Sequence, residues 1–280
     1  MSILARLDSE SPGKLLRESL QTIYPLHAEN SFLSTIDNAF YADGELVELV
    51  YDSSINYLVR RLVTATEYLK RKNAQTQGTE AAFIRMLRSY LRDQTRIPSK
   101  HIETYITLLR ECIRERGREP GSGAKNAVRR EARKRNYKCY VCGRQMLFER
   151  NGRDLEDYEK DLRIEVEHLW PKAMGGSNKG FNLAGACVRC NRLLEDFIDA
   201  SDFHYEEICL VTDKTMDDFS TDFNWGYRIA VLAKTSYKCA LCERPAKHFG
   251  ELQFARKNRA DSWHFLNINA YCDAHVTKDS

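Results

Sequence analysis

Long apolar runs are missing from this chain: nothing in its 280 residues approaches the roughly 18–20 consecutive apolar positions of a membrane-spanning helix. The N-terminal stretch MSILARLDSESPGK has no extended apolar core of the secretory kind. Together these absences lead us to expect a cytoplasmic protein with no membrane partner. An excess of charge of one sign is missing as well. Forty-three Lys+Arg against forty Asp+Glu leave a net +3, too little to identify a nucleic-acid partner by total charge, so the distribution has to decide. Glycine (14) and proline (6) are too few for collagen, and 42% hydrophobic residues are ordinary for a globular rather than a disordered chain. The length allows two or three compact domains. What the chain does hold is cysteine: nine residues, seven of them in tight C-x-x-C or C-x-x-H pairs. In a reducing compartment such pairs read as metal ligands and not as disulfides.

Residues 1–119 contain no cysteine pair, and apolar residues recur there at helical intervals. Leu58, Leu62, Ala65 and Leu69 define one face, and Phe83, Met86, Leu87, Tyr90 and Leu91 a second. Ile102, Tyr105, Ile106, Leu109 and Ile113 define a third, behind a Pro98-Ser99 start signal. Basic and acidic residues nearly balance here, so we expect a helical scaffold or partner-docking domain in preference to a direct DNA binder. The run Glu119-Pro120-Gly121-Ser122-Gly123 breaks the pattern, and residues 120–124 read as a linker. Residues 125–138 then carry Lys125, Arg129, Arg130, Arg133, Lys134, Arg135 and Lys138 against Glu131 alone. That run suits a phosphate backbone as well as it suits a merely solvated face.

Cys139-x-x-Cys142 and Cys187-x-x-Cys190 supply four thiolates, the closed tetrahedral set of structural zinc. Between the pairs, Arg163 to Trp170 alternates like a strand, Pro171 and Gly175-Gly176 stop it, and Phe181 to Leu183 can return antiparallel. Val188 to Ile198 reads as a helix. This strand, strand, helix unit displays Glu167 and His168 at a strand end, Asn182 on the return and Asn191 at the helix start. An imidazole, oxygen ligands for a hard cation and a loop-fixing amide are the parts of a metal-dependent phosphodiesterase.

On these motifs, residues 125–198 resemble the HNH endonucleases, the zinc-containing branch of the ββα-metal nucleases. The resemblance implies that His168 is the general base, that Asn191 and Glu167 bind one Mg²⁺ or similar divalent ion, and that Asn182 orients the loop carrying the base. It further implies that the zinc is structural and that Lys172, Lys179, Arg189 and Arg192, with Arg129, Arg130, Arg133, Lys134 and Arg135, seat the phosphate backbone. Two positions depart from the family pattern: Glu167 stands where Asp is common, and Asn191 where His is.

Tyr237-Lys-Cys-Ala-Leu-Cys242 repeats Tyr137-Lys-Cys-Tyr-Val-Cys142 one hundred residues on. Cys239, Cys242, Cys272 and His275 can close a second structural zinc site, and Asn267 sits before Cys272 as Asn182 sits before Cys187. Ungapped counting from Asn267 puts Gln253 at the base position, Leu252 at the ligand position and Val276 opposite Asn191. None of these abstracts a proton or binds a hard cation, and neither His248 nor His264 has a carboxylate next to it in sequence as His168 has Glu167. The preceding helix carries Ile229, Ala230 and Ala233 where the first has arginines, which suits packing or dimerisation, although Arg256, Lys257, Arg259 and Trp263 keep strand binding open. Between the modules, residues 195–222 are strongly acidic and read as a solvated connector or a cover for the basic surface. Cys112 and Cys209 lack pair mates and are expected to be buried thiols.

The expected architecture is α+β: a helical domain (1–119), the linker, an HNH finger (125–200), an acidic connector (201–223) and a degenerate treble-clef-like zinc module (224–280). The expected activity is that of a metal-dependent DNA endonuclease acting as a nickase, with RNA as an alternative substrate. A homodimer or protein partner is expected through the helical domain or second module, and the resemblance suggests bacterial restriction or anti-phage defence. The competing expectation is a non-catalytic zinc-ribbon nucleic-acid-binding or adaptor protein.

Overall fold

The computed structural model describes residues 3–26, 44–148, 157–203 and 225–276. Among the described residues, four helices realise the N-terminal periodicity. α1 (Pro12–Ile23) places proline in its first turn, where an N–H would have no helical partner anyway. α2 (Gly44–Gln75) runs for 32 residues. α3 (Glu80–Gln94) is capped by Thr79, whose hydroxyl accepts from the Ala82 N–H at 3.2 Å. α4 (Ile102–Arg116) follows a short 3₁₀ turn over Ser99–His101. Leu15, Leu16 and Leu20, Val59 and Val63, Phe83, Leu87 and Leu91, and Tyr105, Leu108 and Leu109 form their common core.

The face of α2 differs from the expected one. Ile55, Val59, Leu62, Val63 and Thr66 are buried, while Leu58, Ala65 and Leu69 are only half-buried. Both stripes fit 3.6 residues per turn, and a hydrophobicity pattern rejects the one containing Asn56 and Thr66. Those two enter the core because their polar atoms are satisfied: Asn56 Oδ1 accepts from Arg17 Nε at 2.8 Å, and Thr66 Oγ1 donates to the Leu62 carbonyl at 2.7 Å.

The chain divides into two compact units, residues Met1–Gly121 with His168–Asn182, and residues Ser122–Glu167 with Leu183–Ser280. The finger boundaries of 125–200 therefore cross both. In the first unit the loop from His168 to Asn182 lies against α1 and α4. The Gly13 N–H donates to the Gly175 carbonyl at 3.2 Å, and the Ser177 N–H to Ser11 Oγ at 3.1 Å. The approach at Gly13 is close enough that an added Cβ would lie 1.7 Å from the Met174 carbonyl oxygen. Gly175 takes φ +79°, where an added Cβ would lie 2.6 Å from Cys112 Sγ.

The second unit contains α5 (Ser122–Lys134), α6 (Asp157–Leu162), β1 (Ile164–His168, whose last residue opens the loop of the first unit), β2 (Leu183–Cys187) and α7 (Val188–Leu194). α8 (Trp225–Lys234), α9 (Ala246–Phe249), β3 (Gln253–Arg256) and β4 (Ile268–Tyr271) follow. β1 pairs with β2 and β3 with β4 in two separate two-stranded sheets, so the chain is α+β. α5 begins at Ser122, inside the stretch read as a linker. α7 stops at Leu194, four residues short of the helix expected, where Glu195 turns to φ +43°. Ile229, Ala230 and Ala233 of α8 are buried against α7, β4 and the turn at Ala200–Asp202, so that apolar face is covered within its own unit. Of the acidic connector, 204–223 lies outside the described residues, as does Cys209 within it; Cys112 is fully buried. No described helix is long and apolar enough to cross a membrane.

Candidate functional site

The tight turn between Cys139 and Cys142 is closed by two backbone bonds, the Cys139 N–H to the Arg144 carbonyl at 2.8 Å and the Gly143 N–H to the Cys139 carbonyl at 3.0 Å. It aims both thiols at those of Cys187 and Cys190, which flank the start of α7. The four ligand atoms lie within 4.8 Å of one another, and Cys142 Sγ is 3.9 Å from Cys187 Sγ. Zinc–sulfur bonds of about 2.3 Å at tetrahedral angles put ligand sulfurs about 3.8 Å apart, so this group could hold a zinc ion. The clustered thiols shift one another in opposite directions: hydrogen bonds from Cys142, Cys187 and Cys190 pull Cys139 well below its ordinary pKa, and hydrogen bonding to Cys139 pushes Cys142 and Cys190 up, as groups competing for one thiolate must.

The second group is built the same way. The Cys239 N–H donates to the Arg244 carbonyl at 3.1 Å and the Glu243 N–H to the Cys239 carbonyl at 2.9 Å. Cys242 Sγ is 3.9 Å from Cys272 Sγ, and His275 Nδ1 is 3.6 Å from Cys239 Sγ. These four residues could also hold zinc. Within the unit the two modules touch: Tyr140 meets Tyr237 edge-on at 5.3 Å, and Lys138 Nζ donates to the Phe249 carbonyl at 2.7 Å.

In the first unit, Asn182 is 4% exposed and ties together the loop that begins at His168. Its Oδ1 accepts from the Trp170 N–H at 2.8 Å, while Nδ2 donates to the Trp170 carbonyl at 3.1 Å and the Ser177 carbonyl at 2.9 Å. The Leu169 N–H donates to the Asn182 carbonyl at 2.8 Å. His168, half-buried at the end of β1, has Nε2 3.1 Å from Asn178 Oδ1.

In the second unit, Asn191 Nδ2 donates to Glu165 Oε2 at 2.6 Å, and Asn191 Oδ1 is buried with no donor among the described residues. The acid against Asn191 is thus Glu165, which sequence reasoning passed over. The signal was available, because strand alternation puts Glu165 and Glu167 on one face of β1. Glu167 is half-buried. Burial first, and then neighbouring charges that include Glu167, raise the Tyr140 and Tyr237 hydroxyls above their ordinary pKa.

The repeat can now be registered by its hydrogen bonds. In the second module the Asn258 N–H donates to Asn267 Oδ1 at 2.9 Å, Asn267 Nδ2 donates to the Asn258 and Ser262 carbonyls at 3.0 and 2.7 Å, and the Lys257 N–H donates to the Asn267 carbonyl at 2.7 Å. Asn258 therefore matches Trp170, and the residue matching His168 is Arg256, at the end of β3. This corrects the ungapped assignment of Gln253 and Leu252. The position matching His168 holds a guanidinium, a hydrogen-bond donor with no acceptor, 4.8 Å from the Trp263 ring. His264 does have a carboxylate beside it in space, with Nε2 3.1 Å from Asp261 Oδ2, and hydrogen bonding from His264 holds that carboxyl below its usual range. His248 packs edge-on against Tyr137 at 5.3 Å.

Of the expected phosphate contacts, Arg129, Arg130, Arg133, Lys134, Arg135 and Arg192 are exposed. Arg135 pairs with Glu131, and Arg133 lies 5.0 Å from the Phe148 ring. Lys172 pairs with Glu119, Lys179 with Asp8, and Arg189 with Asp161. The pairs of Lys172 and Lys179 each have a partner largely in water and are worth about 0–1 kcal/mol, whereas Arg189 and Asp161 are both half-buried. Comparison with known protein families, with curated proteins and with solved structures finds no match for this chain.

Proposed function

We propose that this protein is a metal-dependent endonuclease of the HNH type that nicks DNA, its two cysteine groups holding zinc for structure. The observation that carries the reading is the Asn191 Oδ1, buried and without a donor among the described residues, beside the Glu165 carboxylate. A buried acceptor without a donor costs about 1–3 kcal/mol, and a hard cation is the natural partner for an amide oxygen and a carboxylate together. Asn191, Glu165 and Glu167 would hold that cation. Mg²⁺ bound there supplies charge neutralisation on the phosphate and on the departing oxygen.

The chain's own residues do the rest. His168, covalently next to Glu167, accepts the proton of the attacking water at its imidazole. Asn182 fixes the backbone on which that imidazole stands, and the exposed arginines of α5 seat the sugar-phosphate strand without reading bases. One base per chain gives a single-strand cut. Restriction or anti-phage defence in a bacterium is the setting this activity suits.

A second reading, a zinc-stabilised nucleic-acid-binding or adaptor protein, draws support from the second module, which keeps the zinc ligands and the loop asparagine while carrying Arg256 in place of a base. The deciding experiment incubates zinc-loaded protein and Mg²⁺ with supercoiled plasmid, and separately with RNA. We expect nicked plasmid from the wild type and from Arg256→Ala, and none from His168→Ala or Asn191→Ala at unchanged zinc content. Equal cleavage by His168→Ala would refute the base assignment, and a wild type that cuts neither polymer leaves the adaptor reading.

A further inference from the structure

The amide of Asn178 stands between His168 and a carboxylate of the helical bundle, all within the first unit. Asn178 Nδ2 lies 3.1 Å from both the carbonyl oxygen and Oε2 of Glu115, near the end of α4, and the Asn178 N–H donates to the same Oε2 at 3.0 Å. Two acceptors on one side settle which way the amide points, because an oxygen turned toward them would be repelled and only an NH₂ can serve both. The other end, Oδ1, therefore faces His168 Nε2 at 3.1 Å as an acceptor. A neutral imidazole meets an acceptor only with the nitrogen that carries its hydrogen.

We infer that Glu115 and Asn178 are positioning residues that hold His168 as the Nε2–H tautomer, leaving Nδ1 as the basic nitrogen. The inference rests on the nuclease reading for its catalytic meaning but not for its chemistry. The helical bundle is then part of the base's machinery, reaching it through one side chain. Glu115 suits the role because its side chain is only 12% exposed, so water competes little for its oxygens. Fixing the tautomer matters because an imidazole presenting an N–H to the attacking water cannot take its proton, and a misoriented base of this kind costs several orders of magnitude in rate.

The test uses full-length, zinc-loaded protein labelled with ¹⁵N in histidine only. Two-bond proton–nitrogen correlations report which ring nitrogen carries hydrogen, and the His168 signals are those lost in His168→Gln. We expect a single Nε2–H form in the wild type and a mixture in Asn178→Ala. Glu115→Gln, whose side-chain oxygen can still accept both bonds, should keep the wild-type pattern, and Glu115→Ala should shift it. In the plasmid assay Asn178→Ala should lose roughly 10²-fold in nicking rate, with zinc content unchanged, and Glu115→Gln should retain most of it. An Nδ1–H form in the wild type, or Asn178→Ala with unchanged tautomer, overturns the inference. Should the wild type cut nothing, the nuclease reading fails alone, since the tautomer spectra still decide the relay.

Discussion

Asn182 and Asn267 offer a matched pair of perturbations inside one chain. Each side chain accepts one backbone N–H and donates to two carbonyls, at 2.8, 3.1 and 2.9 Å for Asn182 and 2.9, 3.0 and 2.7 Å for Asn267, and they are 4% and 3% exposed. Truncation to alanine leaves the N–H of Trp170 or Asn258 without its acceptor, while each carbonyl oxygen keeps a second lone pair for compensation. Weighting the N–H fully and the carbonyls partly, we expect each loop to lose about 2–4 kcal/mol of local stability. Hydrogen exchange reads this directly. The Leu169 amide, held by the Asn182 carbonyl, should exchange roughly 30- to 1000-fold faster in Asn182→Ala, and the Lys257 amide likewise in Asn267→Ala, at about 1.4 kcal/mol per tenfold. Parity in stability should contrast with disparity in function: only Asn182→Ala should abolish nicking. Acceleration below about threefold in both loops would show that these hydrogen bonds were already exchanged for water at little cost, and equal loss of nicking in both variants would remove the special status of the His168 loop.

Further outcomes follow from the same geometry. Gly13→Ala should destabilise the first unit by about 1–3 kcal/mol, because a methyl 1.7 Å from the Met174 carbonyl oxygen forces α1 and the loop apart; an unchanged thermal midpoint contradicts the packing. Zinc analysis should find two ions per chain and one in Cys139→Ser, and strong chelation should unfold the second unit while the helical circular dichroism of α1–α4 survives. Glu165→Ala should raise the Mg²⁺ concentration for half-maximal nicking about 10-fold or more, whereas an unaltered Mg²⁺ dependence detaches Glu165 from the cation.

How much of this was legible in sequence depends on the distance over which each feature is determined. Zinc ligands come as local pairs with fixed spacing, so Cys139, Cys142, Cys187 and Cys190 and the repeat at Cys239 could be read by eye. The register of the repeat could not. Trp170 precedes Asn182 by twelve residues, while its counterpart Asn258 precedes Asn267 by nine, and no residue type announces the three that are missing. Glu165 was within reach through strand alternation but was overshadowed by the Glu167-His168 dipeptide. The docking of the loop on the helices was beyond reach, since it joins Ser11 to Ser177 across 166 positions and Glu115 to Asn178 across 63. Such contacts depend on shape, and periodicity carries no information about them.

Because residues 168–182 take their floor from α1 and α4, the cysteine-clamped portion is not a transplantable cartridge. Excising residues 122–280 would carry off the imidazole while leaving behind Ser11, Gly13 and Glu115, the groups that shape its surroundings. Chimaeras or truncations that respect the cysteine groups but discard the N-terminal helices should therefore retain metal and lose order at the segment bearing His168, and any change that loosens α4 should disturb that segment from a distance.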